Sequence, residues 1–137
     1  MTVEISPAIA ERLNKEMIVW ITTVNANGIP QPTPVWFLWD NGRILVMSGA
    51  EAKKVRNLRQ NPHVALNFNS DALAQNGVTV ITGTAQVENA IVPPALLEKY
   101  FAKYGEQIKG IGMTNEVMAK QFSAQIYITP EHVRAEA

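Results

Sequence analysis

Prolines recur at every second position, Pro30, Pro32 and Pro34, inside a segment from Pro30 to Asp40 that is otherwise extended in character. Proline has no amide hydrogen, and successive amides of a strand point to opposite sides, so all of these missing donors fall on one side. That side of the segment's first half is not expected to be paired, which places it at a sheet edge. The second half ends in Asp40-Asn41-Gly42-Arg43, a strong two-residue hairpin signal. Arg43 to Ser48 should therefore run back antiparallel beside Val35 to Trp39, giving a three-stranded meander with the strand before Pro30.

The flanking segments extend the pattern. Ser6 and Pro7 form an N-cap and first-turn pair, and Ile9 with Leu13 gives helical spacing to about Lys15. Met17 to Val24 is rich in β-branched and aromatic residues and reads as a strand that ends in the turn Asn25 to Gly28. Residues 51–60 read as a helix burying Val55 and Leu58, stopped by Asn61-Pro62, and His63 to Asn69 as a strand turning Val64, Leu66 and Phe68 inward. A polar loop, Ser70 to Gly77, precedes a long strand, Val78 to Glu88, in which Gly83 marks a bulge or close approach. Pro93-Pro94 can open a helix with Leu97, Phe101 and Tyr104 on one face and Gly105 as its C-cap glycine. A shorter helix from Asn115 to Phe122, capped by Thr114, leads to a strand from Ala124 to Thr129 and a tail from Pro130 to Ala137. Consecutive antiparallel strands without alternating βαβ units predict a mainly β fold, a closed or nearly closed six-stranded barrel with flanking helices.

Composition bounds the function. The 137 residues suit a single domain over 1–137, and the 12 basic and 12 acidic groups cancel. A general nucleic-acid binder needs a basic excess, so that class is excluded. No stretch is apolar enough to span a membrane, and residues 1–7 lack a signal layout, so a cytoplasmic protein is expected. The charged share, 18%, lies below the ~25% of typical domains, which points to apolar surface covered by a second copy. With no Cys, two His and two Asp, the chain offers little for nucleophilic or metal chemistry. His63 and His132 belong to no ligand-spaced cluster and read as surface or edge residues.

Two neighbouring segments carry what chemistry there is. Ser48 and Glu51 have capping-box spacing, and Lys53 and Lys54 fall in the first turns of the following helix. Cations there oppose the macrodipole, whereas Arg56 and Arg59 lie where cations are welcome. An anionic group such as a phosphate would reconcile a hydroxyl, lysines and free helix amides; a solvated basic face is the alternative. Just upstream, Pro34-Val35-Trp36-Phe37-Leu38-Trp39 is unusually aromatic. These rings either fill core and dimer contacts or line a site for a flat, partly apolar ligand, with Trp36 and Trp39 shaping the pocket. The hairpin puts Ser48 level with Val35 to Trp36, so such a ligand could touch both segments.

The ordered set Trp20-Ile-Thr-Thr-Val, Gly28-Ile-Pro-Gln-Pro, Pro34-Val-Trp-Phe-Leu-Trp-Asp, Lys54-Val-Arg-Asn-Leu-Arg-Gln-Asn-Pro and Val64-Ala-Leu-Asn resembles the pyridoxamine 5'-phosphate oxidase-like, flavin-binding split-barrel superfamily. Gly83-Thr-Ala-Gln-Val, Lys99-Tyr-Phe-Ala-Lys-Tyr, Gly112-Met-Thr and Ile128-Thr-Pro-Glu-His-Val-Arg are similar to its small single-domain branch of probable coenzyme F420-dependent enzymes.

The resemblance implies a homodimer with cofactor sites at the subunit interface and an oxidoreductase acting on a small molecule. Residues Pro34, Val35, Trp36 and Phe37 would lie along the cofactor ring, and Ser48, Lys53 and Lys54 would hold its phosphate, with Met47 completing the set. A strand beginning near Val78 would reach the site from the partner chain. The oxidases proper carry a lysine soon after the ring-binding segment and a C-terminal extension for the vitamin substrate. Leu38-Trp39-Asp40 has no lysine and the chain stops at Ala137, so vitamin B6 oxidation is not expected. FMN and F420 both present a tricyclic ring, a ribityl chain and a phosphate. Branch likeness favours F420, while free use of Asn and Lys over Arg, unlike chains from GC-rich genomes, tips the expectation to FMN. The rival from another class is a non-catalytic flavin or tetrapyrrole carrier.

Overall fold

The computed structural model describes residues 3–70, 73, 77–90 and 92–136. Its elements in chain order are α1 (Pro7–Lys15), β1 (Val19–Val24), β2 (Pro30–Val35), β3 (Leu38–Asp40), β4 (Arg43–Ser48), α2 (Lys53–Gln60), β5 (His63–Asn67), β6 (Val78–Glu88), α3 (Pro94–Gly110), α4 (Asn115–Gln121) and β7 (Ala124–Glu136). The strands form a single antiparallel sheet in the order β2-β1-β5-β6-β7-β4-β3. Its two edge strands, β2 and β3, are consecutive in the chain, so the Trp36-Phe37 link joins the sheet's ends and curls it into a split barrel.

The prolines explain why β2 is an edge. Pro30, Pro32 and Pro34 stand opposite Val24, Thr22 and Trp20 of β1, and β2 has no neighbour on its other side. The positions without amides face that open side, where no ladder bond is lost. The hairpin also forms as its residues dictate: Asn41 and Gly42 have φ of 53° and 80°, with Asp40 opposite Arg43.

Several expectations need correction. The segment from Pro30 to Asp40 is not one strand; it breaks after Val35, so there are seven strands and no simple meander. Tyr104 supplies the reason, because its hydroxyl takes the Phe37 amide, at 3.0 Å, in place of a strand partner. Helix α3 does not stop at Gly105. The stripe Tyr100, Tyr104 and Ile108 is buried, and its continuation outweighs the ~1 kcal/mol that glycine costs within a helix. The helix runs to Gly110 and is closed just beyond its Ile111 cap by Gly112, with φ 77°, where Gly112 N donates to Lys109 O and Met113 N to Ile108 O. Residues 130–136 are not a tail: β7 continues through Pro130, which lies opposite Gly83 at a register shift between Thr82 and Gly83. A Cβ on Gly83 would stand 2.1 Å from Thr129 O, so only glycine allows β7 to come this close. Of the polar loop expected over residues 70–77, only Ser70, Leu73 and Gly77 lie within the described residues.

Two apolar clusters lie on opposite faces of the sheet. One fills the barrel and includes Leu13, Ile21, Ile44, Val46, Val55, Leu58, Leu66, Ile126 and Ile128. The other lies under α3 and α4 and joins Leu45, Met47 and Tyr127 to Tyr100, Tyr104, Ile108 and Met118. The central strands β4 and β7 feed both, which is why Ile44 to Ser48 and Ala124 to Ile128 are buried without a break. No helix among the described residues is long and apolar enough to cross a membrane.

Candidate functional site

At the end of β2 the chain turns away from β1, and Trp36 enters the aromatic cluster under α3. A cavity of about 300 Å³ opens beside it. Pro34, Val35 and Trp36 contribute one wall, Met47 of β4 the floor, and Lys54 of α2 a charged rim. Tyr100 of α3, Met118 of α4 and Phe122 close the helical side, while Ile18 and Ile111 stand at the mouth. The lining is mostly apolar, which suits a flat ring and keeps water from it.

The charged rim follows from the start of α2. The expected capping box does not form: Ala52 is the N-cap and offers no side-chain oxygen. Ser48 is held in β4 opposite Ala124, is 1% exposed, and donates its hydroxyl to Gly49 O at 3.2 Å. Helix amides at positions N1 and N2, those of Lys53 and Lys54, are thus left without a side-chain acceptor. Lys54 is half-buried, pairs with no carboxylate among the described residues, and has its pKa lowered by burial alone. An uncompensated cation beside free helix amides and an apolar cavity fits the phosphate end of an amphipathic cofactor.

Of the residues singled out from sequence, Pro34, Val35, Trp36, Met47 and Lys54 line this cavity together. Phe37 is fully buried in the barrel core, and Ser48 lies behind the wall rather than in it. Lys53 points to neighbouring polar clefts with Gln31 and Asn57. Trp39 packs on the barrel core and takes no part in the cavity. Ile18, Tyr100, Ile111, Met118 and Phe122 were not anticipated. Tyr100 alone left a sequence signal, the i, i+4, i+8 spacing with Tyr104 and Ile108. His63 and His132 are exposed on the β5 and β7 strands, away from the cavity. No cluster of metal-ligating side chains occurs among the described residues.

Solved structures share this architecture at low identity. A conserved hypothetical protein of Mycobacterium tuberculosis is 19% identical, covers 98% of this chain over 86% of its own, and superposes with a TM-score of 0.75. A protein described as an F420 reductase is 20% identical over 95% of this chain and 98% of its own, with a TM-score of 0.74. HutZ, the heme storage protein of Vibrio cholerae, is 18% identical over 98% and 96%, with a TM-score of 0.73. At these identities the likeness is one of fold. Among curated proteins no sequence match was found. The sequence profile described as pyridoxamine 5'-phosphate oxidase matches residues 5–136, nearly the whole chain, and the split barrel agrees with it. The chain belongs to the pyridoxamine 5'-phosphate oxidase family.

Proposed function

We propose that the chain is an oxidoreductase that holds a phosphorylated flavin, FMN, in the cavity between β2, β4 and the α3–α4 layer. The observation that carries this reading is Lys54: a half-buried lysine without a carboxylate partner among the described residues, on the rim of an apolar cavity and at an uncapped helix start. Its ammonium and the first amides of α2 would hold the phosphate. The extended backbone at Pro34 and Val35 would run beside the ring, with Trp36, Met47, Met118 and Phe122 shielding it from water. Lys53, exposed at the first position of α2, would add to the local positive field, whereas Phe37 and Ser48 would support the wall from behind.

Bound flavin supplies the hydride or electron transfer, so the protein needs to position and enclose it rather than offer an acid, base or nucleophile. That agrees with the residues at hand. A tetrapyrrole carrier is supported less well, because neither His63 nor His132 reaches the cavity to ligate an iron. Coenzyme F420 has the same ring, ribityl and phosphate layout and is the competitor within the class. Ile18 and Ile111, 38% and 59% exposed at the mouth, are apolar surface that a second copy would cover. The working unit is then a homodimer, with the partner's strand beginning near Val78 approaching the site.

The test is titration of the purified protein with FMN, F420 and hemin, followed by absorption and calorimetry, with reduction of the bound flavin by a nicotinamide donor. Micromolar or tighter FMN binding with turnover against an acceptor is expected. Hemin binding without binding of either flavin would replace this reading with the carrier.

A further inference from the structure

Trp36 has an environment that the cavity alone does not explain. Its indole lies parallel to the Tyr104 ring, with centroids 4.6 Å apart and planes within 5°. Tyr104 itself is fully buried on α3, remote in sequence from β2. Its hydroxyl accepts the Phe37 amide at 3.0 Å and faces the carbonyls of Phe37, at 3.0 Å, and Met17, at 2.9 Å. Having one proton, it donates to one of them at a time. Lys103 completes the arrangement: its ammonium donates to the Phe37 carbonyl at 3.0 Å and sits 3.8 Å above the Phe37 ring. The backbone of Phe37, directly after Trp36, is thus clamped from α3 at both its amide and its carbonyl, and the same tyrosine covers one face of the indole.

This places a rigid support where the sheet is least regular. Trp36 and Phe37 belong to no strand, so ladder bonds do not hold them. Without the clamp, a large aromatic side chain at a strand break would have several rotamers open to it. With one face taken by Tyr104, the partly buried indole meets the cavity with its remaining surface.

We propose that Tyr104, assisted by Lys103, is the positioning residue of the cavity: it presents the Trp36 indole as a preset platform against which a flat aromatic ring packs. The proposal rests on the cavity being a flavin-type site. Tyr104 acts through Trp36 and touches no ligand itself, since the cavity lining contains Trp36 and Tyr100 but not Tyr104.

The test uses a protein with Trp20→Phe and Trp39→Phe, which leaves Trp36 as the sole reporter. Riboflavin, a ring without phosphate, is the probe beside FMN. Riboflavin should quench Trp36 emission saturably. Tyr104→Phe keeps the ring and removes the hydroxyl; it should weaken riboflavin and FMN binding equally, by about tenfold, leaving the ratio of the two affinities unchanged. Lys103→Met should weaken both by about threefold and Lys103→Arg should restore them. Ring affinity untouched by Tyr104→Phe, or a loss confined to FMN, would overturn the proposal.

If Tyr104→Phe does not fold, the lysine pair decides on the same criteria. Without any ligand, Trp36 emission should shift and its acrylamide quenching should rise in Tyr104→Phe and Lys103→Met, and an unchanged spectrum would also overturn the proposal. These readings are independent of cofactor, so failure of flavin binding in the parent protein counts against the cavity's assignment and leaves the clamp to the spectra.

Discussion

Strands β4 and β7 show different chemistry on their two faces. Inward, Ile44, Val46, Ile126 and Ile128, all of them fully buried, pack in a cluster that is mainly aliphatic, with Phe37 and Phe68 its only buried rings among the described residues. Outward, Leu45, Met47 and Tyr127 meet tyrosines and methionines under α3 and α4. β-Branched side chains have few rotamers and interlock closely, which suits a core meant to fix a sheet. Flat rings and unbranched thioethers pack less completely and adapt, and the 300 Å³ cavity lies on their side. One pair of strands thus carries a closely packed face and a cavity-bearing face, and, on the proposed function, substitutions on the two should separate stability from affinity.

The largest effect is expected inside the barrel. Ile126→Ala should cost about 3–4 kcal/mol in urea unfolding while leaving FMN affinity of the folded protein unchanged. A comparable loss of affinity would show that the faces are not independent. Gly83→Ala forces a methyl against Thr129 O and should cost about 2–3 kcal/mol, read as a lower Tm. On the other face, Met118→Ala should cost about 2 kcal/mol because the adjoining cavity already limits its packing, and should weaken FMN about tenfold.

The smallest effect concerns Lys103. Burial lowers its pKa to about 8, with Glu16 opposing, against 10.5 unfolded. Between those values the unfolded chain holds the proton and the folded chain does not, so this residue's contribution to stability rises with pH from 8 to 10.5. After screening, the gain should be about 1 kcal/mol or less, and it should disappear from the stability profile of Lys103→Met. A fall in stability over this range that depends on Lys103 would reverse the assignment.

What was legible in the sequence follows the range of the forces involved. Asn41-Gly42, the Ser6 cap and the alternating prolines act within a few residues, and each placed its element correctly. The break after Val35 depends on Tyr104, a residue 67 positions from Phe37, and no local signal announces it. Gly105 and Pro130 misled for the same reason. Burial of Ile108 carries α3 past the glycine, and the space at Gly83 lets β7 pass the proline. For the cavity lining, the neighbourhood of Val35, Trp36, Met47 and Lys54 was readable because a hairpin and a helix start bring them together locally, while their role stays with the proposed function. Met118, Phe122 and Ile111 reach the cavity only through packing of α3 and α4.

The account stands most directly on the proposed contact between Lys54 and a phosphate, which a thermodynamic cycle isolates. FMN and riboflavin differ by the phosphate, so affinities of both would be measured for the parent protein and for Lys54→Ala. Removing either the phosphate or the ammonium should cost about 1.5–3 kcal/mol, and removing both should cost little more than one alone. Strictly additive losses, or no loss from Lys54→Ala in a folded protein, would contradict it.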